Sequence, residues 1–306
     1  MNNLKTSLMS LGLPEDRILE LEPMTKHTTF RVGGVADYFV TCNNEKELAS
    51  ILQYLTENNV RHMLIGNGSN LLFKDEGYRG VILNLDGDFR SCEVDGNRIT
   101  VGSARLLSGV STVATENGLA GMEFASGIPG TLGGAVYMNA GAYGGEMKDL
   151  VRKVYLMTPD GKRTFVKDVS EMDFSYRHSG IQSTGDIVLR VELELKPDDC
   201  EAIQARVAEL TEKRVSKQPL NYPSAGSTFK RPVGGYAAAL IQDAGLKGKA
   251  VGGAEVSEKH SGFIVNKGGA SADDVLKLMK LVEEKVFETS GIRLEPEVRI
   301  IGESDE

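Results

Sequence analysis

The spacing of apolar residues along the chain alternates between the period of a helix and that of a strand. Helices with apolar residues three or four positions apart are predicted at 4–11, 45–55, 106–116, 136–140, 200–215 and 272–286, and from residue 236. Strands are predicted at 18–21, 38–41, 62–65, 81–85, 90–94, 98–101, 151–158, 162–166, 187–195, 263–266 and 294–301. Helices and strands are mixed throughout, which indicates an α+β protein.

Turn and capping signals separate several of these elements. Asp95-Gly96 and Pro159-Asp160-Gly161 each lie between two strand patterns and predict hairpins. Ser271, with Asp274 three residues later, predicts a capping box at the start of the last long helix.

Pro197 interrupts the strand pattern before it and opens the helix after it. A chain of 306 residues is long enough for two domains of roughly 100–200 residues each. We therefore predict a first domain over 1–197, with lobes at about 1–86 and 87–197, and a smaller α+β domain over 198–306.

Composition and charge narrow the class of protein. Hydrophobic residues make up 41% of the chain, which is sufficient for a buried core, and the formal net charge of −8 argues against a nucleic-acid partner. No run of ~20 apolar residues predicts a membrane span, and the N-terminus lacks the pattern of a secretory signal. The cysteines lie far apart, outside any CxxC, and the histidines are scattered. We therefore expect a cytoplasmic protein with no metal site and no membrane partner.

Glycine is in excess, at 35 of 306 residues, and much of the excess lies in a few short stretches, two of which are runs that could bind a ligand. The first, Gly66-Asn67-Gly68-Ser69-Asn70, follows a predicted strand, and the second, GIPGTLGGA, spans 127–135. Glycine permits positive φ, and successive backbone N–H groups in such turns bind anions. The helix predicted at 136–140 would also point its first N–H groups at a phosphate. We interpret the runs as a pyrophosphate site; the alternative is that the glycines only permit tight turns and close packing.

The chain contains neither a GxGxxG fingerprint nor a GxxxxGK[ST] loop. A dinucleotide, if one binds, is therefore bound by a fold other than the Rossmann or P-loop type.

Six short motifs occur in an order and spacing typical of one family. They are FRVGG at 30–34, GNGSN at 66–70, GIPGTLGGA at 127–135, YR at 176–177, GSTFK at 226–230 and EPEVR at 295–299. Together they resemble the UDP-N-acetylenolpyruvoylglucosamine reductases, flavoenzymes of peptidoglycan precursor synthesis, over about 25–302. The resemblance implies an FAD-binding module of the vanillyl-alcohol-oxidase/p-cresol-methylhydroxylase type in two subdomains, followed by a smaller α+β substrate-binding domain. The short stretch between the fourth and fifth motifs resembles the compact second type, which lacks a loop that closes over the substrate, and Tyr176 is a candidate substitute.

The resemblance also implies a reaction: NADPH, through non-covalent FAD, reduces the enolpyruvyl ether of UDP-N-acetylglucosamine to the lactyl ether. It implies that Arg177 and Glu297 clamp the substrate carboxylate and that Ser227 supplies the proton. A guanidinium binds a carboxylate bidentately, whereas Glu297 helps only when protonated or orienting another donor. We therefore expect burial to raise the pKa of Glu297.

Further binding residues are implied by the same resemblance. For the cofactor they are Gly66, Asn67, Gly68, Ser69, Asn70, Gly127, Ile128, Pro129, Gly130, Gly133, Gly134 and Arg31. For the substrate, chiefly its phosphates, they are Tyr176, Lys217, Lys230, Arg231, His260, Asn266 and Arg299. Taken singly, the basic residues are equally consistent with a solvated surface.

Two other functions stay open at this point. One is a flavin oxidase of the same fold that acts on another substrate, and the other is a sugar-nucleotide-binding protein without turnover. Neither glycine run contains a His or Cys, which favours non-covalent flavin, and the joint presence of Arg177, Ser227 and Glu297 favours a catalyst. We expect the protein to be a monomer.

Overall fold

The computed structural model describes residues 2–302. Its α-helices are α1 (Asn2–Ser10), α2 (Glu45–Glu57), α3 (Leu107–Glu116), α4 (Leu132–Tyr137), α5 (Ile181–Thr184), α6 (Cys200–Lys217), α7 (Ala237–Asp243) and α8 (Ala272–Ser290). Its strands are β1 (Ile18–Pro23), β2 (Val35–Cys42), β3 (His62–Ile65), β4 (Leu71–Phe73), β5 (Tyr78–Leu85), β6 (Cys92–Asp95), β7 (Arg98–Gly102), β8 (Leu119–Ala120), β9 (Gly141–Ala142), β10 (Gly145–Glu146), β11 (Val151–Met157), β12 (Thr164–Asp168), β13 (Ile187–Glu194), β14 (Lys196–Pro197), β15 (Ala250–Val251), β16 (Ala254–Val256), β17 (Ile264–Asn266) and β18 (Arg299–Ile301).

The chain forms two compact units, each assembled from separate segments. The larger unit contains the residues up to Glu20, then Tyr38–Asn67 and Gly80–Lys213. The smaller unit contains Leu21–Asp37, Gly68–Arg79 and the residues from Arg214 onward. Early segments join the C-terminal residues because β4 pairs in parallel with β18, a grouping that a single boundary at Pro197 does not anticipate.

The first sheet of the larger unit has the strand order β1-β2-β5-β3. Strands β3 and β5 run parallel, with Ile65 opposite Asn84. Helix α2 buries its apolar residues in the core of this sheet, and the Asn44 side chain caps the helix by accepting the Glu47 N–H at 2.9 Å.

The second sheet of the larger unit is antiparallel, with the order β12-β11-β13-β7-β6. Both predicted hairpins are confirmed: Asp95-Gly96 lies between β6 and β7, and Pro159-Asp160-Gly161 between β11 and β12. Helices α3 and α4 pack with this sheet around a second hydrophobic core. The larger unit thus contains two cores.

The smaller unit is built on the antiparallel sheet β15-β16-β17, against which α8 packs. The predicted capping box is confirmed, because the Ser271 hydroxyl accepts the Asp274 N–H at 3.0 Å while the Asp274 carboxylate accepts the Ser271 N–H at the same distance. The strand prediction over 294–298 is wrong. Pro296 interrupts the pattern and forms an isolated bridge with Phe229, so β18 begins only at Arg299.

Two features are absent from the described residues. No helix within 2–302 is long and apolar enough to cross a membrane. In the same range, no three His, Cys, Asp or Glu side chains are grouped so that they could hold a metal ion.

Candidate functional site

The first glycine run, residues 66–70, forms the loop that follows β3. Its five backbone N–H groups donate no hydrogen bond to another described residue. Gly68 has a φ of +60°, and a β-carbon there would overlap the carbonyl oxygen of His27. Consecutive unpaired N–H groups around a left-handed residue form a nest that binds anions. The loop therefore fits a phosphate group, and it also requires glycine for packing.

The beginning of this loop contacts the second glycine run. The Asn67 side chain donates from Nδ2 to the carbonyl oxygen of Pro129 at 2.5 Å, and a β-carbon on Gly66 would overlap Oγ1 of Thr131. Both contacts lie in the larger unit. The two runs that the sequence separates by about sixty residues are thus adjacent.

The helix at the second run differs from the prediction. Helix α4 begins at Leu132 rather than near 136, with Thr131 as its N-cap. The N–H groups of its first three residues donate to the carbonyl oxygens of Arg105 (2.9 Å) and Ser103 (2.8 Å) and to Oγ1 of Thr131 (3.4 Å). The prediction that this helix start points its N–H groups at a phosphate is therefore wrong.

The second run nevertheless retains free donors. The N–H groups of Gly127, Gly130 and Thr131 donate to no other described residue, whereas that of Ile128 donates to the carbonyl oxygen of Ala125 at 3.1 Å. The run therefore combines packing with a few backbone donors that have no partner among the described residues, and its role in binding a pyrophosphate stays a prediction.

Asn84 is a residue of this region that the sequence interpretation missed. Its Nδ2 donates to the carbonyl oxygens of Ile65 (3.1 Å) and Gly66 (3.4 Å), where β3 ends and the loop begins. Engaging these carbonyls orients the first peptides of the loop. A polar residue inside the apolar run 81–85 was the available signal.

Arg177 lies at the third position of a tight turn in the larger unit. The N–H and the carbonyl of Ser175 pair with those of His178, each at 3.2 Å, and the Gln182 side chain donates to the Arg177 carbonyl at 3.1 Å. Arg177 has a φ of +55°, a conformation that costs energy for any residue with a β-carbon. Its guanidinium lies 5.1 Å from the ring of Tyr176, which is 51% exposed. Residues held in sparsely populated backbone conformations cluster at catalytic and binding sites.

Glu146 is an acidic residue whose pKa the charge of Arg177 helps to lower. Lys148, at 3.0 Å, and the Asn139 amide, at 2.9 Å, lower the pKa of Glu146 against the effect of burial, and the charge of Arg177 adds to this. Asn139 also donates to the carbonyl oxygen of Ser175 at 3.0 Å. The turn that carries Arg177 is therefore anchored through a buried amide.

Ser227 and Glu297 are brought together within the smaller unit. Ser227 is exposed and follows Gly226, whose φ is +78°. The carbonyl oxygen of the next residue, Thr228, accepts the Glu297 N–H at 2.8 Å. Asn70, the last residue of the first glycine run, donates from Nδ2 to the Glu297 carbonyl at 3.0 Å. Hydrogen bonds thus connect Asn70 to Glu297, and Glu297 to Thr228, the neighbour of Ser227. The raised pKa of Glu297 stays a prediction.

The basic residues predicted to contact phosphates all lie in the smaller unit. They are Lys217, Lys230, Arg231 and Arg299. Lys230 pairs with Glu295 at 3.4 Å, and the Arg231 guanidinium lies 4.0 Å from the ring of Tyr236. Burial lowers the pKa of His260, and its Nδ1 accepts the Gly262 N–H at 3.2 Å. The neutral ring therefore carries its proton on Nε2 and can only donate from there.

Asn266 and Arg31 complete the predicted set. Asn266 is 8% exposed; its Nδ2 donates to the carbonyl oxygens of Phe30 and Arg31, both at 3.4 Å, and its Oδ1 accepts the Gly268 N–H at 2.9 Å. A side chain engaged in this way supports the local backbone, which argues against a contact with substrate. Arg31 is exposed, with a φ of +55°, and its N–H donates to Oγ1 of Thr28 at 3.2 Å.

Comparison with known proteins agrees with this geometry. Residues 36–166 match the family model described as FAD binding domain. Together with the unpaired donors of residues 66–70, this defines the class of the protein: an FAD-binding oxidoreductase. The predicted fold, an FAD-binding module followed by a smaller α+β domain, is confirmed.

Longer matches identify the family within this class. Residues 218–301 match the model described as UDP-N-acetylenolpyruvoylglucosamine reductase, C-terminal domain. The reductase of that name from Clostridioides difficile is 47% identical over 99% of this chain and 100% of its own length, and that from Alkaliphilus oremlandii is 48% identical over 95% of each. The crystal structure of the Thermus caldophilus reductase matches with a TM-score of 0.81 at 37% identity, over 93% of this chain and 98% of that one. The chain belongs to the family of UDP-N-acetylenolpyruvoylglucosamine reductases.

Proposed function

We propose that this chain reduces the enolpyruvyl ether of UDP-N-acetylglucosamine to the lactyl ether, with NADPH as reductant and non-covalent FAD as cofactor. Family membership supports the reaction. The observation that carries it is the cluster in which Asn70 donates to the Glu297 carbonyl and Glu297 donates to Thr228, the neighbour of Ser227. This cluster connects Asn70, at the end of a loop that fits a phosphate group, to the acid Glu297 and to the neighbour of the Ser227 hydroxyl.

The proposed cofactor residues are those whose backbone donors are free. The N–H groups of 66–70, with those of Gly127 and Gly130, bind the FAD pyrophosphate, and Asn67 holds the two runs together. FAD held there would supply the chemistry of hydride transfer between NADPH and the substrate. In domain terms, 1–197 binds the cofactor and also supplies Arg177 and Tyr176 to the substrate, and 198–306 supplies the other proposed contacts to the sugar nucleotide.

Arg177 is proposed to bind the substrate carboxylate. Negative charge grows on C2 and the carboxylate as a hydride adds to C3 of the enolpyruvyl group. A guanidinium that donates to both carboxylate oxygens becomes a stronger partner as this charge develops, and so stabilises the transition state more than the ground state. The anchored turn holds the Arg177 backbone before substrate arrives.

Ser227 is proposed to deliver the proton to C2, and Glu297 to act as a neutral donor to the carboxylate. An ionised Glu297 would repel the developing charge, so the role requires the protonated form. Ser227 is a weak acid, and its effectiveness depends on a fixed position beside the carbanion-like centre.

The remaining roles concern the rest of the substrate. Lys217, Lys230, Arg231 and Arg299 are proposed partners of the UDP phosphates, because all four offer cationic groups in the smaller unit. His260 contributes a neutral donor from Nε2. Tyr176, which is half exposed, covers the substrate in place of the loop that this compact type lacks.

We further propose that the protein acts as a monomer in the cytoplasm, without nucleic-acid or membrane partners. Cys42, Cys92 and Cys200 are free thiols, which is consistent with a reducing compartment. Light scattering of the pure protein at several concentrations tests the oligomeric state, and a mass that rises with concentration would contradict it.

The reaction is tested by its two halves. Purified protein should be yellow, NADPH should bleach it without oxygen, and the enolpyruvyl sugar nucleotide should restore the colour. A colourless protein would indicate a binding protein without a cofactor. Rapid restoration by oxygen with none by the sugar nucleotide would indicate an oxidase.

Ser227→Ala separates the two halves. Bleaching by NADPH should be unchanged, while re-oxidation by the sugar nucleotide should slow by roughly 10²- to 10⁴-fold, the range for a lost general acid. Ser290→Ala, at the exposed end of α8 in the same unit, is the matched control and should change neither step. Equal loss in both steps for Ser227→Ala would make Ser227 a structural residue.

A further inference from the structure

Thr228 is a buried residue that hydrogen bonds to three separate segments of the smaller unit. Its N–H donates to the Gly262 carbonyl at 2.9 Å, and its carbonyl accepts the Glu297 N–H at 2.8 Å. Its hydroxyl oxygen accepts the Ile264 N–H at 3.0 Å, at the start of β17. With 2% exposure, Thr228 is buried, and these hydrogen bonds fix its position.

These bonds determine where the neighbouring Ser227 lies. Gly226, before it, has a positive φ and nothing within 4 Å of the position that a β-carbon would take, so that side of the serine receives little support from packing. The support comes from Thr228, whose two backbone bonds tie it to Gly262 and Glu297. The hydroxyl adds a third bond that a valine could not make.

The two residues that follow Thr228 pair with the segment that contains Glu297. Lys230 donates its N–H to the Glu295 carbonyl at 2.8 Å, and Phe229 forms a bridge with Pro296. Segments 228–230 and 295–297 therefore form a short antiparallel ladder with Thr228 at one end. The end of such a ladder frays unless another contact fastens it, and the bond from Thr228 to Ile264 supplies that contact.

We propose that Thr228 is a positioning residue for proton transfer: its hydroxyl fastens the end of the ladder to β17 and thereby fixes Ser227 relative to Glu297. The proposal rests on the proposed function, because it concerns the proton that Ser227 delivers. An error of about 1 Å in a reacting group can cost roughly 10²-fold in rate. Loss of one fastening bond should therefore affect proton delivery without affecting flavin reduction.

The test compares Thr228→Val, which keeps the shape but removes the acceptor, with Thr228→Ser, which keeps the hydroxyl. In Thr228→Val, re-oxidation by the enolpyruvyl sugar nucleotide should slow by roughly 10- to 100-fold, while NADPH bleaching stays within twofold of the wild type. Thr228→Ser should re-oxidise within about threefold of the wild type. Affinity of the oxidised protein for the sugar nucleotide should not change.

A readout independent of turnover is amide hydrogen exchange at Ile264. Its N–H should be protected in the wild type and in Thr228→Ser, and should exchange much faster in Thr228→Val, where the acceptor is missing. Ser271→Ala controls for general destabilisation, because it removes the N-cap of α8, which lies in the same unit. It should leave both half-reactions and the Ile264 amide unchanged.

Several results would overturn the proposal. Re-oxidation of Thr228→Val at the wild-type rate would do so, as would equal slowing of both half-reactions. If Thr228→Val does not fold, Thr228→Ser decides alone, and a loss beyond tenfold in re-oxidation would refute the role of the hydroxyl. A wild-type protein that the sugar nucleotide fails to re-oxidise would instead refute the proposed function, and the role of Thr228 with it.

Discussion

Gly68 and Gly96 form a matched pair that isolates the role of the first glycine run. Their φ values are +60° and +57°, so alanine suffers the same backbone penalty at both positions, roughly 1–2 kcal/mol. The surroundings differ. A β-carbon on Gly96 would have nothing within 4 Å, whereas one on Gly68 would overlap the His27 carbonyl oxygen and lie 2.9 Å from Cα of Thr28.

The difference between the two variants measures that overlap. Backbone atoms cannot rotate away, so the loop or the His27 segment has to move, and forced overpacking typically adds about 1–3 kcal/mol. We expect Gly96→Ala to lose about 1–2 kcal/mol of unfolding free energy and Gly68→Ala about 2–5 kcal/mol. Urea unfolding of the flavin-free proteins gives both values directly.

The same pair tests the assignment to FAD. Moving the loop misaligns the N–H groups of residues 66–70, so flavin titration should show at least ~100-fold weaker binding for Gly68→Ala, and wild-type affinity for Gly96→Ala. Equal destabilisation of the two variants would refute the packing argument. A destabilised Gly68→Ala that binds FAD normally would show that the loop is a packing feature and not a cofactor site.

Three further predictions concern other residues. Burial opposes ionisation of Glu47, but hydrogen bonds from Arg17 and the Asn43 N–H outweigh it and hold the pKa of Glu47 below its ordinary 4.5. Glu47→Gln should therefore lower the free energy of unfolding by about 1–3 kcal/mol near pH 7. The difference from the wild type should shrink as the pH falls below 4.5, because protonation of Glu47 removes the stabilisation. An equal loss of unfolding free energy near pH 3 would contradict this. Ser103 has a buried hydroxyl with no partner among the described residues, so Ser103→Ala should be neutral or more stable by up to ~1 kcal/mol in urea unfolding, and a clear loss would reveal a partner. Arg177→Lys keeps the charge but not the bidentate geometry, so stopped-flow should show re-oxidation slowed by at least ~10-fold with bleaching much less affected, and equal slowing would refute the clamp.

Local signals in the sequence determined many of the elements. The strand at 62–65, both hairpins and the capping box at Ser271 are as predicted, because turn residues and side-chain caps act over two to four residues. The motifs likewise identified the family, since each is a short run whose composition the chemistry restricts.

Tertiary structure decided what depends on distant partners. Helix α4 begins at Leu132, where Thr131 caps it locally and the carbonyls of Ser103 and Arg105 accept its first two N–H groups. No pattern near 132 encodes those two distant acceptors. The carbonyl of Thr228 and the amide of Asn70 both bond to Glu297. Backbone donors and acceptors are the same in every residue, so the sequence shows which side chains are available but not which peptide groups will meet. At this site the peptide groups of Thr228 and Glu297 hydrogen bond to each other and to the Asn70 side chain, and only the folded chain brings these distant residues into contact.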